Sequence, residues 1–265
     1  MTKKQHKISR ISAMHFWKLG FRSLLFLVAA TLYLYDRLTM SGEQFDHLVS
    51  NRWILAIIWV VFVVEIILRF FPSKIESMGC QKQFKKNYQP TGEETPDLVS
   101  WKRTAISALA WFALNGAIFA VYFAGWIDKG ILVLIALAYS VCDMICILFF
   151  CPFQTWFLKN KCCTSCRIYN WDYAMMFTPF LVVPKFFTWS LLILALLLLF
   201  RWEITYRLYP ERFSEKTNGC LACKNCKERL CQHKKQLRGF LKKNKERFSL
   251  ISNRAMETVR SKMKK

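Results

Sequence analysis

Five long apolar stretches interrupt a strongly basic chain, and they constrain its fold more than any other feature. The 265 residues are 54% hydrophobic, yet the formal net charge is +22. A helix needs about 20 apolar residues to cross the ~30 Å hydrocarbon core of a bilayer. In soluble proteins the apolar residues recur at a helical or strand period instead of in long blocks. The sequence therefore predicts an all-α, polytopic integral membrane helical bundle.

The predicted bundle occupies residues 1–206 and has about five transmembrane helices. The spans are expected at residues 16–35, 53–71, 104–126, 131–150 and 180–200. Tryptophans lie at or near the span ends, as is typical of indole side chains at the membrane interface. Residues 207–265 are predicted to form a Cys-rich basic tail that contains a basic amphipathic helix. Residues 72–100 hold three prolines and no apolar period, which predicts an irregular loop.

The positions of Lys and Arg give conflicting predictions of orientation. Basic residues before the first span and after the second and fourth spans place the N-terminus inside. Residues 201–265 carry 19 Lys and Arg against 6 acidic residues, and five crossings would put this tail outside. Three solutions remain open: an external tail, an inverted protein, or a re-entrant hairpin of residues 173–200 that is broken at Pro184. The basic composition favours a cytoplasmic tail at a bacterial-type plasma membrane.

The tail contains the densest group of cysteines. The segment CLACKNCKERLCQH has the pattern C-x2-C-x2-C-x4-C-x-H. It resembles the ferredoxin run C-x2-C-x2-C-x3-C-P, although Cys231 comes one residue late and Gln232 replaces the proline. Zinc is an alternative because it takes four nitrogen or sulfur ligands, and unliganded thiols are another. The candidate metal ligands in the tail are Cys220, Cys223, Cys226, Cys231 and His233.

A second group of cysteines follows the fourth span. Cys151, Cys162, Cys163 and Cys166 are candidate metal ligands, and Cys163 and Cys166 form a C-x2-C pair that suits a redox dithiol. Simple packing is the third interpretation, since free cysteine is often a small buried apolar residue. Cys142 and Cys146 lie one turn apart on the fourth span and are expected to pack between helices. The total of eleven cysteines is odd, which argues against a paired disulfide framework.

Two carboxylates lie within the predicted spans. Glu65 precedes the end of the second span by six residues and Asp143 precedes the end of the fourth by seven. Both should therefore lie roughly 10 Å from the same membrane face. Such groups usually face protein or a water-filled cavity, which makes them candidate proton or cation carriers. The structural alternative pairs Glu65 with Arg69, one turn later, and lets Asp143 hydrogen-bond inside the bundle.

The function predicted from these features is membrane-associated redox or metal handling. The cofactor would be an iron–sulfur cluster or zinc, with a protein redox partner. No nucleotide-binding or hydrolase motif is present, and the sequence assigns no catalytic residue, so enzymatic activity stays undecided. The tail suits anionic lipid headgroups, while membrane anchoring disfavours nucleic acid. One alternative is a non-enzymatic protein whose zinc knot and basic tail dock lipid or a partner. Another is a small-solute transporter that uses Glu65 and Asp143.

Overall fold

The structure, a computed structural model, describes residues 10–39, 52–72, 78–160 and 165–225. In these ranges all regular elements are helical, apart from an isolated β-bridge between Pro90 and Asn218. The α-helices are α1 (Arg10–Thr39), α2 (Arg52–Leu68), α3 (Met78–Gln83), α4 (Trp101–Phe123), α5 (Lys129–Leu148), α6 (Asp172–Met176) and α7 (Phe186–Leu208). The chain divides into compact units Met1–Glu228 and Arg229–Lys265. The second unit, with most of the predicted amphipathic tail helix, lies outside the described residues.

Among the described helices, four are long and apolar enough to cross a membrane, namely α1, α4, α5 and α7. The prediction of an all-helical membrane bundle is confirmed at this level. In lipid a helix is favoured because it satisfies its own backbone hydrogen bonds. Helix α2 is strongly apolar but has 17 residues, which corresponds to about 26 Å of helical rise. The predicted loop 72–100 contains the short helix α3.

Local sequence signals set several helix boundaries. Helix α5 begins where the Asp128 side chain accepts a hydrogen bond from the Ile131 backbone N–H at 2.9 Å, as N-cap residues do. Pro184 precedes α7, and proline disfavours helical geometry in the residue before it. Helix α7 accordingly begins at Phe186, six residues after the predicted start, and extends to Leu208, eight residues beyond the predicted end.

Helices α2 and α7 run in the same direction, which the sequence did not settle. Near the start of α7, the Trp59 indole N–H donates to Ser190 Oγ at 2.8 Å. Further along, Arg201 of α7 lies over the ring of Phe70, just beyond the end of α2. Because the early part of α7 faces Trp59 and its later part faces Phe70, both helices end at the same end of the bundle.

A non-helical and short-helical segment, residues 166–185, connects α5 to α7 by running into the bundle. Tyr173 donates to Glu65 Oε2 at 2.8 Å, and Phe177 packs edge-on against Phe62 with ring centroids 5.4 Å apart. The segment therefore runs alongside α2 towards the level of Trp59, and α7 then returns. Residues 166–185 and α7 therefore form a hairpin within the described bundle.

The loops after α2, α5 and α7 gather at one end of the bundle, which we call the loop end (residues 78–100, 149–170 and 209–225). Asn218 ties two of these segments together, since its side-chain amide donates to the Lys82 carbonyl at 3.0 Å. The Gly219 N–H donates to the Gln89 carbonyl at 2.7 Å. Residues 209–225 are consequently part of the folded unit.

Helix α1 packs against α5 through one narrow stripe. Its buried residues His15, Arg22, Ala29 and Asp36 recur every seven positions, a spacing that keeps one helix face towards its neighbour. Most residues of this stripe are polar in an otherwise apolar helix. From this stripe Arg22 makes polar contacts to both α2 and α5.

Candidate functional site

Arg22 lies at the centre of a buried charge cluster, which we call the Arg22 network (Lys18, Arg22, Glu65, Asp143 and Tyr173). Its guanidinium is 2% exposed. One nitrogen donates to Glu65 Oε2 at 2.7 Å, and the other donates to Asp143 Oδ2 at 2.9 Å. Arg22 therefore joins α1 to both α2 and α5. A planar guanidinium suits this role because its donors point in fixed, divergent directions.

The remaining members of the network complete the environment of Glu65. Lys18 Nζ lies 3.4 Å from Glu65 Oε1, and the Tyr173 hydroxyl donates to Glu65 Oε2. A second buried ion pair lies nearby, with Arg69 Nη1 2.6 Å from Asp172 Oδ2. Arg69 also lies over the Tyr173 ring at 4.6 Å. Taken together, three cations face three carboxylates in this part of the described bundle.

The network modifies one sequence-based interpretation of the intramembrane carboxylates. Asp143 hydrogen-bonds within the bundle, as its structural alternative anticipates. Glu65 bonds across to α1 instead of making the anticipated pair with Arg69, whose carboxylate partner is Asp172. The chain after α5 folds back against the end of α2 and places Asp172 beside Arg69. The spacing of residues in the sequence does not indicate this contact. Both carboxylates are thus held by cations, which favours a structural role for them.

A cavity of about 120 Å³ lies beside the network, and we call it the thiol cavity. Four of the seven described cysteines line it, namely Cys142, Cys146, Cys151 and Cys166. Asp143 and Asp172 also line its wall. Helix α5 contributes the first two cysteines, while the chain after α5 contributes the others. The cavity therefore brings Cys151 and Cys166, the two described members of the second cysteine group, next to a helix face that was expected only to pack.

Two of these thiols are close neighbours. Cys146 and Cys151 both line the cavity and interact through their side chains, and the Gln154 N–H donates to Cys151 Sγ at 3.4 Å. Cys151 follows the end of α5 closely, because the backbone N–H groups of Phe149 and Phe150 still donate to the Ile145 carbonyl, at 2.8 and 3.1 Å. These bonds keep Cys151 near the final turn of α5.

The predicted metal ligands are only partly described. Cys162, Cys163, Cys226, Cys231 and His233 lie outside the described residues. Among the residues that are described, no group of three or more His, Cys, Asp or Glu side chains is arranged to hold a metal ion. Metal binding by either cysteine group therefore stays a prediction.

The two described tail cysteines lie on the loop end. Cys220 donates from its thiol to the Asn87 carbonyl at 2.9 Å, and its backbone N–H donates to Asn218 Oδ1 at 3.1 Å. Cys223 is exposed. The first half of the tail motif is thus held against the loop after α2, with one thiol directed inward and the other towards solvent.

Sequence reasoning missed Arg22 as a site residue, because it treated this residue as one of the basic residues flanking the first span. A signal was present, since two carboxylates buried at similar depth require nearby cations. The proximity of Cys146 and Cys151 had no comparable signal, because it depends on how the chain turns after α5.

Comparison of the chain with protein-family models, curated proteins and solved structures finds no match.

Proposed function

We propose that this chain is a multi-pass membrane protein whose function is redox handling by thiol–disulfide exchange in the thiol cavity. The proximity of Cys146 and Cys151 in the cavity wall carries the proposal. In this reaction one thiolate attacks the disulfide of a partner, and the second thiol resolves the mixed disulfide. The chain gains one disulfide, while the partner gains two thiols. A redox protein is the partner class that we favour.

The number of available ligands favours exchange over a metal centre in this cavity. A dithiol needs only two neighbouring sulfurs, and Cys146 and Cys151 both lie in the wall of the cavity. A structural zinc site needs four ligands, and the described part of the cavity offers no suitable group of three. Cys146 and Cys151 are both partly exposed, so the pair is open to an approaching partner.

Mild oxidation of the purified protein is expected to form a disulfide between Cys146 and Cys151, because the two side chains are neighbours in the cavity wall. Peptide mass spectrometry after alkylation of the remaining thiols would locate the linkage. Cys146→Ser should abolish it, while Cys142→Ser, one turn away on the same helix, should leave it in place. If Cys146 and Cys151 are both fully alkylated after oxidation that links other cysteines, the proposal is wrong.

A second candidate function, metal binding by the tail, is favoured by the position of Cys220 and Cys223 on the loop end. The ordered turn around Asn218 presents both residues at the point where the chain continues to Cys226. The ligands would be Cys220, Cys223, Cys226, Cys231 and His233, with iron–sulfur and zinc both possible for such a set. Cys220 would exchange its hydrogen bond to Asn87 for the metal.

Anaerobically purified protein is expected to contain stoichiometric iron or zinc if the tail binds metal. Metal analysis with a visible absorption spectrum separates the two, since iron–sulfur clusters are coloured and zinc is not. Cys223→Ser should lower the metal content, because this thiol would be a ligand. Cys80→Ser, at a buried cysteine of α3 outside the predicted ligand set, is the control. Equal metal content in both variants would contradict tail binding.

We also infer the membrane arrangement. Helices α1, α2, α4 and α5 cross the membrane, while residues 166–185 and α7 form a re-entrant hairpin. All the strongly basic loops then lie at the loop end, and the positive-inside rule places that end in the cytoplasm. This arrangement removes the contradiction in the charge pattern. It also leaves the basic tail on the side where anionic headgroups attract it.

A further inference from the structure

A long groove lies between α4 and α7 on the surface of the bundle, with a volume of about 320 Å³. Its floor is formed by the chain between Ile168 and Leu181, which keeps the two helices apart. Small side chains on α4, among them Ala105 and Ala108, leave the space open. On the α7 side the groove runs from Leu192 to Arg207, which corresponds to about 22 Å of helix.

The two ends of this groove differ in chemistry. Leu181, Leu192 and Phe112 line the inner part, and Phe112 is 68% exposed. At the loop end the lining changes to Trp101, Trp171 and the charged residues Arg167, Glu203 and Arg207. An apolar slot that ends in indoles and charges matches a lipid, whose chain lies in hydrocarbon and whose headgroup lies at the interface.

At the polar end of the groove, the two cations Arg167 and Arg207 and the one carboxylate, Glu203, give a net charge of +1. Arg167 Nε donates to Glu203 Oε1 at 3.0 Å, and Trp171 donates to the same oxygen at 2.7 Å. Burial alone would lower the pKa of Arg167, but the hydrogen bond and charge of Glu203 raise it above its ordinary value. The pair is therefore ionised and mutually neutralised. Arg207 is exposed, and no ion pair joins it to another described side chain.

From this arrangement we propose that the groove between α4 and α7 is a binding site for one anionic phospholipid. The acyl chain lies along Leu192 and Leu196, and the phosphate is bound by Arg207 near the Trp101 indole. This site is separate from any contact that the basic tail makes with lipid, and it does not depend on the proposed thiol exchange. A neutral lipid would fill the same slot but would lack the negative headgroup that Arg207 attracts.

Native mass spectrometry of the full-length protein in detergent tests the site, with dioleoyl phosphatidylglycerol or dioleoyl phosphatidylcholine added as probe. Phosphatidylglycerol should be retained preferentially. Arg207→Gln should lower its retention about fivefold, the factor equivalent to the ~1 kcal/mol of one cation near an anionic headgroup. Lys216→Gln, an exposed cation of the loop end outside the groove, is the matched control and should leave retention unchanged.

Two further measurements identify what occupies the groove. Ala108→Phe fills the slot and should lower the retention of both lipids, since it acts on the chain and not on the headgroup. Inorganic phosphate alone should give no thermal protection, whereas phosphatidylglycerol should. Equal loss in Arg207→Gln and Lys216→Gln would overturn the proposal, as would full protection by phosphate. A dimer that disappears in Ala108→Phe without any change in lipid retention would assign the groove to a second copy of the chain instead.

Discussion

Replacing Arg22 by methionine is expected to destabilise the bundle by about 3–5 kcal/mol, the usual cost of leaving a buried ionic group without its partner. Glu65 and Asp143 would both lose their shortest contacts to a cation. Lys18, at 3.4 Å from Glu65, would compensate only the first of them. Heat or denaturant unfolding in detergent, followed by circular dichroism, would measure the change.

The charges of the network predict which additional substitutions restore the stability lost in Arg22→Met. Removal of Arg22 together with its two carboxylate partners, in the triple variant Arg22→Met, Glu65→Gln and Asp143→Asn, should recover most of the loss, because Lys18, the cation of the network that stays, is partly exposed. Buried ion pairs replaced by uncharged groups of similar volume often leave stability unchanged. Arg37→Gln is the matched control on the same helix. Arg37 pairs with Asp128 at an exposed position, where solvent and salt screen the interaction, so its loss should have little effect.

The same variants test whether the charges of the Arg22 network stabilise the bundle. If Arg22→Met is as stable as the unmodified protein, the carboxylates do not depend on Arg22 and the assignment of the network as a structural tie is wrong. If the triple variant is as unstable as Arg22→Met, the loss comes from packing around residue 22 and not from uncompensated charge. The contacts described fit only one outcome: Arg22→Met loses stability, and the triple variant recovers it.

The sequence predicted the membrane helices well because length and apolar content are local properties. The start of α5 next to Asp128 and the end of α2 before Pro72 each follow from neighbouring residues. The extent of α7 does not. Its final turns beyond Phe200 are polar by composition, yet they are held by tertiary contacts, with the Trp202 ring 5.1 Å from Phe84.

The candidate sites were less predictable for a related reason. Cysteine spacing indicated thiol chemistry, but Cys146 and Cys151 lie on either side of the end of α5, and no periodicity reveals how the chain continues there. Glu65 and Asp143 were recognised as unusual, while Arg22 was not. A residue's partner across the bundle depends on how α1 packs against α5, and a single sequence contains no record of that contact.

The re-entrant arrangement of α7 predicts which introduced cysteines a membrane-impermeant reagent can label in intact cells. Cysteines introduced at Glu93 and Lys216 are expected to react with a membrane-impermeant maleimide only after permeabilisation, while one at Lys129 should react in intact cells. Residues 91 and 217 are hydrogen-bonded through their backbones, so Glu93 and Lys216 must share a compartment. Lys129 is the first residue of α5, and the last residue of that helix, Leu148, lies at the loop end. Lys129 therefore lies at the end of the bundle away from Glu93 and Lys216.

The three positions are matched in that each is an exposed or largely exposed charged residue outside the Arg22 network and the thiol cavity. Label is counted as the increase over the parent chain, which corrects for the native cysteines. If Lys216→Cys reacts in intact cells and Glu93→Cys does not, residues 166–208 contain a complete crossing and the re-entrant hairpin is wrong. Labelling of both in intact cells, with Lys129→Cys protected, would preserve the hairpin but invert the protein. The hairpin thus depends on a backbone contact between two loops, whereas the orientation depends on charge alone, and the experiment tests them separately.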